Sequence, residues 1–77
     1  MESTITETTS ARDFMCNVAS KINKKPSDVE KFIEILESNW IEDVTAMKQV
    51  DDEQWKGLAI PMGLVNQIKA NLKMVGQ

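Results

Sequence analysis

Histidine and tyrosine are absent from this 77-residue chain, and cysteine occurs once, at Cys16. Each absence removes a class of chemistry. Without histidine there is no His-containing zinc site and no Ser–His or Cys–His nucleophile pair. A lone cysteine cannot form the internal disulfides that small secreted domains rely on, so the composition points to a reducing, intracellular setting. Aromatic residues make up only 5% of the chain, leaving a core of Leu, Ile, Val and Met around Phe14, Phe32, Trp40 and Trp55. Long apolar runs are missing too. The longest stretch without a charged or amide side chain, Gly57 to Val65, has nine residues and is broken by Pro61. A bilayer span needs ~20, and residues 1–10 lack the hydrophobic segment of a signal peptide. The expectation is a soluble, cytoplasmic chain, with the nucleus left open and no membrane insertion.

What is present fits one small folded domain. Hydrophobic residues make up 42% and charged residues 27%, and a chain of this length buries ~60% of the surface it exposes when unfolded. The net charge of −3 is unevenly spread. Residues 1–10 carry −2, residues 11–26 carry +3, residues 27–60 carry −6 and residues 61–77 carry +2. An acidic middle between weakly basic flanks is a poor footprint for nucleic acid, whose phosphates require a positive face. It suits charge-complementary protein contacts better.

Helical periodicity dominates after a flexible, acidic and Thr-rich tail over residues 1–10. A first helix over 11–22 is capped by Ser10 and carries Phe14, Met15, Val18 and Ile22 on one side. The tract from Asn23 to Pro26 reads as a turn. A second helix opens with a Ser27–Glu30 capping box and buries Val29, Phe32, Ile33 and Leu36. Ser38 and Asn39 end it. A short third element runs from Ile41 to Met47 or Lys48. Asp51, with Gln54 in the reciprocal position, caps a fourth that turns Trp55 and Leu58 inward. Pro61 fits the first turn of the last helix, which buries Leu64, Val65, Ile68, Leu72 and Val75, with Gly76 as terminator. Met15, Met47, Met62 and Met74 read as gap-filling core. The fold class expected is all-α, a small five-helix orthogonal bundle over residues 11–76.

The stretch Phe32-Ile-Glu-Ile-Leu36 followed by Asn39-Trp-Ile41 resembles the aromatic, hydrophobic, Asn-x-Ile pattern of sterile alpha motif (SAM) domains. Asp51-Asp-Glu-Gln-Trp55-Lys-Gly-Leu58-Ala-Ile60-Pro-Met-Gly63 is similar to that family's acidic turn, Leu-Gly-Ile and final Gly. The similarity covers about residues 11–75 and implies the five-helix SAM-like architecture. It further implies a non-catalytic protein-interaction or oligomerisation module that binds another helical domain or itself. One surface would lie on the acidic mid-region, with Trp40, Glu42, Asp43, Asp51, Asp52 and Glu53. The other would lie at the start of the last helix, with Met62, Val65, Asn66 and Lys69. The chain departs from the family pattern in carrying Ala59 for the Gly of Leu-Gly-Ile. It also has Val65, Asn66 and Gln67 where basic residues commonly follow the final Gly. That loss favours a different partner over head-to-tail self-polymerisation.

Two readings compete at Trp40. Counted through the second helix it falls near the buried stripe; read through the family pattern it is exposed, as interface tryptophans are. The alternative function, RNA or nucleic-acid binding, would have to use Lys21, Lys24, Lys25, Lys69 and Lys73. The turn at Leu58–Gly63 lacks the paired glycines that grip backbone phosphates. Catalysis would fall to carboxylates or lysine. The acid pairs lie where caps and turns want acids, Cys16 has no nearby His or second Cys to activate its thiol, and no calcium loop is present. No enzyme activity, small-molecule substrate, metal or other cofactor is expected.

Overall fold

The computed structural model describes residues 5–75. Over that span the chain is an all-α bundle of five helices: α1 Ala11–Lys21, α2 Pro26–Ser38, α3 Val44–Lys48, α4 Asp52–Gly57 and α5 Met62–Leu72. Helices α1 and α2 form the most extensively packed pair, and α5 and α3 both lie against α1. The shared core contains Phe14, Met15, Val18, Ile33, Leu36, Val44, Met47 and Ile68, all essentially inaccessible to solvent. Trp55, Ile60, Leu64, Leu72 and Val75 complete it. Among the described residues no polar or charged residue is buried.

The helix starts show why these segments fold where they do. Ser10 accepts from the Asp13 amide at 3.1 Å and so begins α1. Asp43 accepts from the Ala46 amide at 2.8 Å, which starts α3 at Val44 rather than Ile41. Asp51 and Gln54 exchange hydrogen bonds at 2.8 and 3.1 Å, the reciprocal box expected for α4. Helix α2 starts two residues earlier than the Ser27 cap suggests. Pro26 takes its first position, and the Asp28 carboxylate accepts from the Lys25 amide at 3.0 Å. The Ser27–Glu30 box does not form, and Glu30 turns to Arg12 of α1 at 2.8 and 3.0 Å. That hydrogen bond, reinforced by the charge of Glu30, raises the Arg12 pKa above its ordinary value. Pro61 precedes α5 instead of lying within it, and Gly76 lies outside the described residues.

Three helices end through residues in the left-handed region, Asn23, Trp40 and Ala59, with φ of 60°, 62° and 61°. None is glycine. After α2, the Trp40 amide donates to Glu37 O at 3.0 Å and the Ile41 amide to Leu36 O at 2.9 Å. After α1, Asn23 and Lys24 donate to Ser20 O and Ala19 O in the same pattern. Both are Schellman closures, in which one left-handed residue lets the chain satisfy the last carbonyls of the helix.

Residues 5–10, expected as a flexible tail, dock against α3. The Val44 amide donates to Thr9 O at 3.0 Å and the Thr45 amide to Glu7 O at 3.1 Å. Thr45 Oγ1 also donates to Glu7 O, and Glu7 pairs with Lys48 at 3.1 Å. Ile5 packs against the core. A five-residue helix cannot sustain itself, because nucleation fixes several residues for one hydrogen bond. Here the unpaired amides at its start are taken up by backbone carbonyls of residues 7 and 9 and by the Asp43 side chain.

Candidate interaction surface

Trp40 is the most exposed large hydrophobic residue described, at 85% of its full accessibility. The reading that placed it on the buried stripe fails for a local reason: the helix ends at Ser38, so the helical count no longer applies. Its position is costly on two grounds. A large apolar side chain stands in water, and its backbone occupies a region that disfavours L-residues by roughly 1–2 kcal/mol. A bulky residue with positive φ is an outlier in folded proteins.

Beside Trp40 lies a groove of about 500 Å³ between the α2–α3 turn and helices α3 and α4. Half-buried Ile41, Val50 and Leu58 give it an apolar lining, and exposed Asn39, Gln49 and Gln54 contribute amides. No charged residue lines it.

The acids expected to form one mid-region surface do not share that groove. Asp43 and Asp51 are committed to capping α3 and α4. Glu42 is exposed, and its carbonyl accepts from the Ala11 amide at 2.8 Å. Glu53 is exposed in the first turn of α4. Asp52 faces the other way and takes a 2.6 Å ion pair from Lys69 of α5. The hydrogen bond from Lys69, with its charge, holds the Asp52 carboxyl below its ordinary pKa.

That pair links the two surfaces the sequence kept apart. Asp52 and Lys69 line a second groove of about 430 Å³ between α4 and α5, walled by Trp55, Ile60, Met62 and Val65, with Asn66 alongside. Met62 is exposed at 76%, and Met74 at 69%, so these two methionines are surface residues while Met15 and Met47 are core. Trp55 is buried, with its ring against the core. Of the lysines considered for nucleic acid, Lys69 is paired with Asp52 and Lys21 donates to Asn71 at 2.8 Å. Cys16 is half-buried.

Sequence reading missed Gln49, Val50 and Gln54 as surface partners of Trp40. No pattern announces them, since they converge only after α3 and α4 fold back on the end of α2. The amide pair Gln49 and Gln54, five residues apart across the α3–α4 turn, is the one signal that could have drawn notice. Among the described residues, no three His, Cys, Asp or Glu side chains converge as a metal site. No helix of the described residues is long and apolar enough to cross a membrane. No protein-family model, no curated protein and no solved structure matches this chain.

Proposed function

We propose that this chain is a non-catalytic protein-interaction module of the sterile alpha motif kind. It binds another helical domain or a second copy of itself, with the Trp40 groove as its principal contact and the Met62 end of α5 as a second. The observation that carries this reading is Trp40: a tryptophan exposed at 85% on a left-handed backbone. A fold has no use for that residue there, since glycine would end α2 with less strain. Exposed aromatic anchors beside an apolar groove are what protein interfaces use for most of their binding energy. The free acids Glu42 and Glu53 act at longer range, on encounter rate and orientation.

The test is affinity capture from an extract of the cells that make the protein, run in parallel with wild type and Trp40→Gly. Proteins retained by the wild type and lost by the variant support the reading. The variant must melt no lower than wild type. An identical set of captured proteins from both chains sinks it. Nucleic acid recovered equally by both would transfer the reading to the lysines.

A further inference from the structure

We propose that the Trp40 face pairs with the same face of a second copy about a two-fold axis, each Trp40 entering the groove beside its counterpart. The proposal rests on the interaction-module reading and names its partner. Three observations lead to it.

The first is adjacency. Trp40 and its groove lie on one face, because Trp40 itself lines the groove together with Ile41, Val50 and Leu58. An isologous contact needs a patch that is complementary to itself, so that residue i meets j while j meets i. A protruding ring next to an uncharged hollow of mixed apolar and amide lining meets that requirement. The hollow, at about 500 Å³, falls in the range of sites that enclose molecules larger than an indole.

The second is charge. A charged patch placed against its own copy is opposed by like charge, and this chain has a net −3 with a strongly acidic middle. Yet no charged residue lines the groove. Asp43 and Asp51 cap helices and Asp52 is turned to Lys69, while exposed Glu42 and Glu53 stand outside the groove lining.

The third is the amide edge. Asn39, Gln49 and Gln54 supply the polar groups of this face. A primary amide both donates and accepts, so it can pair with an identical amide across a two-fold axis, which neither a carboxylate nor an ammonium can do. Asn39 already donates to Ile35 O and Gln54 already accepts from the Asp51 amide, so the Gln49 side chain, which makes no hydrogen bond among the described residues, is the amide left for such a pair.

The contact is small, so the dimer is weak. One ring and one groove per copy fall short of the ~1,600 Å² of a standard stable interface. Two chains of net −3 repel at long range, and salt screens that repulsion without touching an uncharged contact. Self-association should therefore tighten as salt is raised. An isologous contact closes at two copies, whereas a head-to-tail contact through the Met62 groove would go on adding chains.

The experiment is sedimentation velocity of the full chain from about 10 µM to about 1 mM, at about 0.05 and 0.5 M salt. The expected result is a mass that rises from 8.7 kDa and saturates at twice that value, at lower concentration in high salt. Trp40→Gly, with its fold verified by a thermal melt, should weaken the dimer at least ~30-fold. In a Trp55→Phe background the Trp40 emission should shift blue as the dimer fills. A mass fixed at 8.7 kDa throughout, continued growth past the dimer, or a dimer that persists in Trp40→Gly overturns the proposal. So does dispersal by salt. A monomer that still loses captured partners in Trp40→Gly defeats the self-pairing alone and leaves the interaction module standing; a monomer whose capture is unchanged defeats both.

Discussion

The two tryptophans of this chain do opposite things with similar side chains. Trp55 is buried, forms a wall of the α4–α5 groove and belongs to the core. Trp40 sits at the end of α2, outside any helix, with almost all of its ring in water. The two grooves differ in the same sense. The one beside Trp55 is crossed by the Asp52–Lys69 ion pair, while the one beside Trp40 is uncharged. The difference teaches that apolar character in a small domain divides by backbone position. A ring on the inward stripe of a helix joins the core, and a ring on a helix-ending residue is left to solvent.

The sharpest way to break this comparison is to remove each ring. Trp55→Ala should cost about 3–5 kcal/mol, a large share of the stability of a chain this short. Urea unfolding followed by circular dichroism reads it. Trp40→Gly should do the reverse, raising stability by about 1 kcal/mol as the left-handed strain is relieved. A thermal melt shows this as a rise of several degrees; a lower melting point would mean that Trp40 contributes to the fold after all. Ala59→Gly is a control at another left-handed helix end and should gain a similar amount without affecting any binding by Trp40.

The acids sharpen the comparison further. Asp51→Ala should lose about 1 kcal/mol because the α4 cap goes with it, and the same urea titration measures it. Asp52→Asn leaves that cap intact and should move stability far less, as surface ion pairs do. The smallest effect is a titration. A carboxyl whose folded pKa is depressed stabilises the fold above its ordinary pKa, and that contribution is lost as pH falls through the depressed value. Asp52 therefore stays ionised below the usual aspartate range, and Lys69→Gln should return its NMR titration midpoint upward toward about 3.9.

Much of the fold could be read from the sequence because it rests on side chains with local rules. Ser10, Asp51 and Gln54 cap what they were expected to cap, and the apolar spacing found all five helices. The misses share a cause: backbone groups or chain reversals whose signal is not periodic. The docking of residues 7–9 on α3 uses carbonyl oxygens, which every residue has. The start of α2 lies two residues earlier, with Pro26 first, so Asp28 in place of Glu30 reaches back to the cap amide. The residues of the candidate surfaces were legible but their arrangement was not: Trp40 and Met62 line different grooves, Asp52 looks across to α5, and Asp43 and Asp51 serve their own helices. Glycine misled in both directions. Gly63 has open space where a Cβ would stand, and the positions that would gain from glycine hold Trp40 and Ala59.

Lys48 has a consequence of its own. Its ammonium donates to the Glu7 carboxylate at 3.1 Å and to the Val75 carbonyl at 2.9 Å. Positions almost seventy residues apart in the chain are thus held by one side chain, and a short peptide could join them. A circular permutant that joins position 75 to position 5 by a short peptide and opens in the α1–α2 turn after Lys24 should keep the five helices. The order in which the helices are synthesised is then a free variable, and the bundle belongs to the closed ring of contacts.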